Sequence, residues 1–192
     1  MTIDELYRFV QFLANKDQRG FIKPSEFNLA ATRAQLDIIE EKFKSENTHK
    51  NLDDLAPVVE KATITYNSAN NGAFSFPTRF LHFISMTFNG STVELLGHEK
   101  LQNRLSSELV APTAAYPVAV MIDDGFEIFA SSTEATSGTC IITYIKEPLA
   151  PTWTSTVVNG VAVYNASASD AQELTLPTST HKDILHKILE YV

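Results

Sequence analysis

The richest run of possible ligands is Asn15-Lys16-Asp17-Gln18-Arg19-Gly20-Phe21-Ile22-Lys23-Pro24-Ser25-Glu26. Its twelve residues lie between two helical patterns and carry Gly at position six, Ile at eight and Glu at twelve. That is the skeleton of an EF-hand calcium loop, in which a hard cation is ringed by oxygen ligands. The oxygens are mostly missing. Position one is Asn15, position five is Arg19 and position nine is Lys23, so only Asp17 and Glu26 remain as carboxylates. Pro24 is also placed to start the second helix inside the loop. The stretch reads as a helix-loop-helix turned by Gly20. A calcium-regulated domain is the lesser alternative, separable by a calcium titration with a melting scan, since a bound ion raises the Tm.

The other chemistry-bearing residues are no better grouped. His98-Glu99 begins like the zinc-protease pattern His-Glu-x-x-His, but Gln102 stands where the second histidine belongs. His181 and His186 are five apart and do not share a helix face well enough for a metal. His82 falls inside an apolar strand pattern, as a hydrogen-bonded core or interface residue would. The single cysteine, Cys140, excludes an internal disulfide and sits in a strand pattern as a buried structural thiol. No Gly-x-Ser-x-Gly, phosphate loop or dinucleotide fingerprint occurs. Asp123-Asp124 precedes Gly125 in a turn, where acidic residues serve the backbone. No catalytic residue set, cofactor or metal is therefore expected.

The 192 residues suffice for one domain or for a core with a helical extension. Hydrophobic residues make up 44%, too many for a disordered chain. A net charge of −8 argues against a protein that grips DNA phosphates, which would carry a basic stripe. It does not argue against a protein that DNA must slide past, since a negative wall repels phosphate. The N-terminus has no signal-peptide pattern and no apolar run is long enough to span a bilayer. The expectation is a protein that stays in the cytosol until it joins an assembly.

Residues 2–14 are predicted helical, opened by the capping-box pair Thr2 and Glu5 and carrying Leu6, Phe9, Val10 and Leu13 at helical spacing. A second helix starts at Pro24 and runs to about Lys44. Residues 45–61 read as loop with short extended pieces. Six β-rich segments follow, at 62–66, 80–88, 92–96, 118–122, 126–130 and 139–145. Asn89-Gly90, Asp124-Gly125 and Asn159-Gly160 are hairpin signals, and 99–109 fits one short helix. Thr180 and Asp183 repeat the capping-box pattern ahead of a last helix striped by Ile184, Leu185, Ile188, Leu189 and Val192. The stripe is still running at Val192, as in a helix that ends abruptly or one that continues in a longer parent. The predicted fold is α+β: an N-terminal helical hairpin (1–45), a linker (46–61), a central, mainly antiparallel β-sheet or sandwich (62–176) and a C-terminal amphipathic helix (177–192), expected to form one compact unit.

Three stretches taken in order carry a resemblance. The first is Thr2 to Gly20, followed by Ser25-Glu26-Phe27-Asn28 and Ala34-Gln35-Leu36. The second comprises Phe76-Pro77, Phe80-Leu81-His82, Pro112-Thr113, Tyr116-Pro117, Tyr144, Pro148, Pro151 and Trp153. The third is Glu173-Leu174-Thr175-Leu176-Pro177 leading into the last helix. Together they resemble the ring, or head-to-tail connector, proteins of tailed phages of Bacteroidetes, the crAss-like phages above all. The similarity is one of texture and order and brings no catalytic residues. It implies a virion structural protein, assembled in the host cytoplasm, that forms a homo-oligomeric ring against the portal protein and neighbouring ring or tail proteins. Double-stranded DNA would pass through it without specific binding, and no membrane is involved. Residues 45–61 and the hairpin within 155–170 lie outside the resemblance, as places where the protein meets its own neighbours. A ring needs two different surfaces that meet head to tail. The expected subunit contacts are Leu6, Phe9, Leu13, Phe27, Ile184, Leu185 and Ile188, and the expected channel-facing residues are Asp123 and Asp124. The alternative is a β-rich ligand-binding or host-surface adhesin module, with Trp153 and Phe74 as its exposed aromatics.

Overall fold

Thr2 and Glu5 open the first helix by capping each other. The Thr2 N–H donates to Glu5 Oε2 at 2.9 Å and the Glu5 N–H donates to Thr2 Oγ1 at 3.2 Å. The structure, a computed structural model, describes residues 1–16, 21–45, 53–67, 73–131, 137–159 and 161–191. Asp17, Gly20, most of the expected linker (46–52), Gly160 and Val192 lie outside the described residues. The fold mixes helix and sheet as predicted: a helix pair, antiparallel sheets and a last helix.

The chain groups into two units, Met1–Val58 with Glu147–Val192, and Val59–Lys146. The first holds helices α1 (Ile3–Lys16), α2 (Pro24–Lys44) and α4 (His181–Tyr191). Pro24 occupies the first turn of α2, and the Lys23 N–H is capped by Glu26 Oε2 at 3.0 Å. Small side chains Ala30, Ala31 and Ala34 are buried along α2 beside Phe27, Ile38 and Ile39. The α4 stripe packs on α2 and α1, burying Ile184, Leu185 and Ile188. The expected capping box at Thr180 does not form. Residues Thr178–Thr180 make a 3-10 turn, and the Thr180 hydroxyl donates back to the Pro177 carbonyl at 2.8 Å.

The same unit takes in residues 147–176, which the sequence had joined to the β body. The reason lies in two polar side chains of α2. Asn28 bonds both backbone polar groups of Trp153, and Gln35 bonds the Leu149 carbonyl and the Thr175 N–H. These bonds hold the returning chain against the helix. Strands β9 (Ser155–Val158) and β10 (Val161–Tyr164) form a separate two-stranded hairpin there.

The second unit is a sandwich. One sheet has the order β1 (Val59–Asn67), β8 (Ser137–Lys146), β3 (Phe80–Phe88), β4 (Ser91–Thr92). The other has the order β2 (Ala73–Ser75), β7 (Gly125–Phe129), β6 (Val118–Ile122), β5 (Glu94–Leu96). Among the described strand pairs of these sheets only β5–β6 is parallel. Met86, Phe88, Cys140, Ile142 and Tyr144 from the first sheet share one core with Phe74, Ala119, Phe126 and Ile128 from the second. Alternation along β6 and β7 sends Val118, Val120 and Phe129 to the opposite face, where Leu101 of α3 (His98–Leu105) covers them. The strand predicted to begin at 62 begins at Val59, directly after a 3-10 turn over Ala56–Val58.

Two of the three hairpin signals act as predicted. Asn89 and Gly90 have φ of 48° and 86°, and Phe88 pairs with Ser91. Asn159 has φ 52°, with Val158 paired to Val161. The third shifts by one residue. Ile122 pairs with Gly125, so the turn is Asp123-Asp124, and neither aspartate has positive φ. Gly125 is instead the first residue of β7, where a Cβ would stand 1.8 Å from the Phe74 carbonyl oxygen. Its glycine admits the neighbouring β2 backbone rather than a turn.

Candidate functional site

The candidate ligands that the structure describes have structural places. Glu26 caps α2, and Asp17 is outside the described residues. The Ile22 carbonyl, inside the same loop, accepts from the Tyr7 hydroxyl at 3.1 Å and from the Gln11 side-chain amide. His98 is the exposed first residue of α3, and His186 is exposed on α4. His181 is buried, with Nε2 3.0 Å from the Leu176 carbonyl and, among the described residues, no hydrogen-bond partner at Nδ1. Among the described residues no three His, Cys, Asp or Glu side chains gather in a way that could hold a metal ion. Among them, too, no helix is long and apolar enough to cross a membrane.

Cys140 lies wholly inside the sandwich core, and burial pushes its thiol up to about 12. Such a thiol forms little of the thiolate that nucleophilic chemistry requires. A polar triplet joins Lys42, Asp54 and Ser179. Lys42 Nζ is 2.9 Å from Asp54 Oδ2, and Ser179 Oγ donates to Asp54 Oδ1 at 2.6 Å. It ties the turn at Asp54 and the turn before α4 to α2.

The expected contact residues divide sharply. Leu6, Phe27, Ile184 and Ile188 are fully buried within the single chain, and Leu185 is 9% exposed. Side chains consumed by the chain's own core cannot also meet a neighbour, so these five are corrected from contact residues to core residues. Leu13 is half-buried, and Phe9 remains open at 44%, stacked near the more exposed Phe12 on α1. Asp123 and Asp124 are both exposed at the tip of the β6–β7 turn. Trp153 and Phe74, the aromatics proposed for a ligand-binding module, are 5% and 7% exposed. Trp153 stacks on Tyr7 with centroids 4.1 Å apart, and its indole N–H donates to Asp4 Oδ1 at 3.0 Å. Neither ring is free to receive a sugar.

What lies open is apolar surface and strand edge. A groove of about 630 Å3 is lined by Glu26, Leu29, Ala30 and Arg33 of α2 and by Tyr191 of α4. Its wall is braced by the Tyr191 hydroxyl donating to Asp37 and by the Arg33–Asp37 pair at 3.9 Å. In the hairpin, all four residues of β9 are exposed, and among the described residues β9 pairs with β10 alone. In the other unit, β1 pairs, among the described residues, with β8 alone, and Glu60, Lys61 and Thr63 are exposed along it. Sequence reading passed over these edges because strand propensity does not say which strands lack a neighbour. Gln35 did leave a signal: a polar residue within the buried stripe of a helix must bond something across the core. No model of a known family matches the chain, and no curated protein matches it.

Proposed function

We propose that the chain is a virion structural protein whose copies form a ring in the head-to-tail connector of a tailed phage. The ring sits against the portal protein and neighbouring ring or tail proteins, and DNA leaves the head through it. One observation carries the reading best. Each of the two units presents an open edge or surface of a different kind, and a ring requires two unlike surfaces on every subunit. Phe9 and Leu13 on α1 add an apolar strip that suits a neighbouring protein. Asp123 and Asp124 face the channel in this reading, and the net charge of −8 keeps phosphate from adhering to the wall.

The test is the assembly state. Light scattering on the purified chain, followed by negative-stain imaging with and without portal protein, should give closed rings and their symmetry. A strict monomer that ignores the portal would overturn the reading.

A further inference from the structure

We propose that the β9–β10 hairpin of one copy adds, backbone to backbone, to the free edge of β1 in the next copy. The inference rests on the ring reading and names the contact that would build the ring.

The edge comes first. β1 is nine residues long and, among the described residues, pairs on one side only. The other outer strands are short: three residues in β2, three in β5 and two in β4. A long unpaired edge offers a row of amide and carbonyl groups whose natural occupant is another extended chain.

The same molecule carries such a chain. Among the described residues the hairpin forms a sheet of two strands, an arrangement that is marginal by itself in water. Its base is held firmly. The Thr154 hydroxyl donates to the Asn165 carbonyl at 2.6 Å, and Tyr164 stacks on Trp153 with centroids 5.9 Å apart. Its arm is open: Val157 is 74% and Val158 52% exposed. Burying those valines against another strand removes apolar surface from water.

Charge permits a second copy as the occupant. Residues 155–164 contain no charged side chain, and β1 carries one Glu and one Lys, in a chain of net charge −8. Two acidic copies can therefore meet through these strands without like-charge repulsion at the contact. Every copy has one arm and one edge, so the contact is head to tail, the type that closes into rings.

The pairing also fixes a clean test. Val158 and Val161 flank the two-residue turn and exchange the hairpin's own hydrogen bonds. The N–H and C=O of Val157 therefore point outward. Val157→Pro deletes that outward donor and leaves the hairpin's bonds in place, while Val157→Thr keeps the donor as a control. Assembly should be measured by light scattering, with and without portal protein, beside circular dichroism and melting. Wild type and Val157→Thr should form rings, and Val157→Pro should stay monomeric with an unchanged spectrum. In wild type, the amides of β1 should exchange about tenfold or more slowly in the ring than in dilute monomer. That exchange measurement decides the matter even if the proline variant misfolds. Rings of unchanged mass from Val157→Pro, with no added protection in β1, would overturn this contact and leave the ring reading standing. Open chains that Val157→Pro abolishes would support the contact and overturn ring closure. A wild-type monomer under every condition would overturn both.

Discussion

Asn28 binds Trp153 at both polar groups of its backbone: Nδ2 donates to the carbonyl at 3.2 Å, and Oδ1 accepts from the N–H at 2.8 Å. One side chain thus does the work of a strand partner across 125 positions of sequence. Asn28→Ala strands both groups beside a buried ring and should cost roughly 2–4 kcal/mol. Asn28→Asp keeps the acceptor and should cost less. The chain has a single tryptophan, so its fluorescence during urea unfolding reports this site directly. A loss under about 0.5 kcal/mol in Asn28→Ala, the range of an ordinary surface change, would show that the clamp does not hold.

Gly125 governs how closely β2 approaches β7. A methyl there would meet the Phe74 carbonyl oxygen at 1.8 Å, so a backbone must move. Gly125→Ala should destabilise the protein by at least the roughly 1–3 kcal/mol of core overpacking. Asp124→Gly, by contrast, should be nearly neutral, because no positive φ is needed in that turn. Denaturation midpoints of the two variants separate a packing glycine from a turn glycine. Equal midpoints would contradict the assignment.

Cys140 makes stability depend on alkaline pH. Its thiol lies at about 12 in the folded chain against an ordinary value of 9.0, because burial disfavours the thiolate. The folded state therefore holds the proton more tightly than the unfolded state does. The stability this contributes is full below pH 9 and is lost progressively as pH rises toward 12. Burial also raises Tyr7 and Tyr144, which weaken in the same direction. Cys140→Ala isolates the thiol: the fall in urea midpoint between pH 8 and about pH 10.5 should be shallower in the variant than in wild type. Identical slopes would place the thiol in contact with water.

Local signals were legible where the cause is local. Thr2 with Glu5, Pro24, Asn89-Gly90 and Asn159 each set their own backbone, and each lies where the sequence placed it. Gly125 misled because a glycine after an aspartate has two physical uses, and the one used here depends on Phe74, fifty-one positions earlier. The same limit applies to the helix stripes. Ile184 and Leu6 announce that something covers them, but the periodicity is identical whether the cover belongs to the same chain or to a neighbouring subunit. Residues 147–176 group with the helices rather than with the β body because Asn28 and Gln35 recruit them through bonds spanning more than a hundred positions.

The turn Asp123-Asp124 tests the proposed channel. Both residues are exposed and their turn needs no unusual backbone, so Asp123→Asn with Asp124→Asn should preserve the hairpin. The double change moves each subunit from −8 to −6, by removing two negative charges, and a ring multiplies that change by its number of subunits. If the turn lines the channel, the variant ring should form normally and retain double-stranded DNA more strongly than wild type. The difference should be large at about 0.01 M salt, where screening acts over ~30 Å, and vanish near 1 M, where it acts over ~3 Å. Co-sedimentation of linear DNA with assembled rings at the two salt concentrations measures it. Unchanged retention at low salt would move the turn out of the channel. Failure to form rings would place the aspartates at a contact between subunits, where their charge would be meeting a cation rather than repelling phosphate.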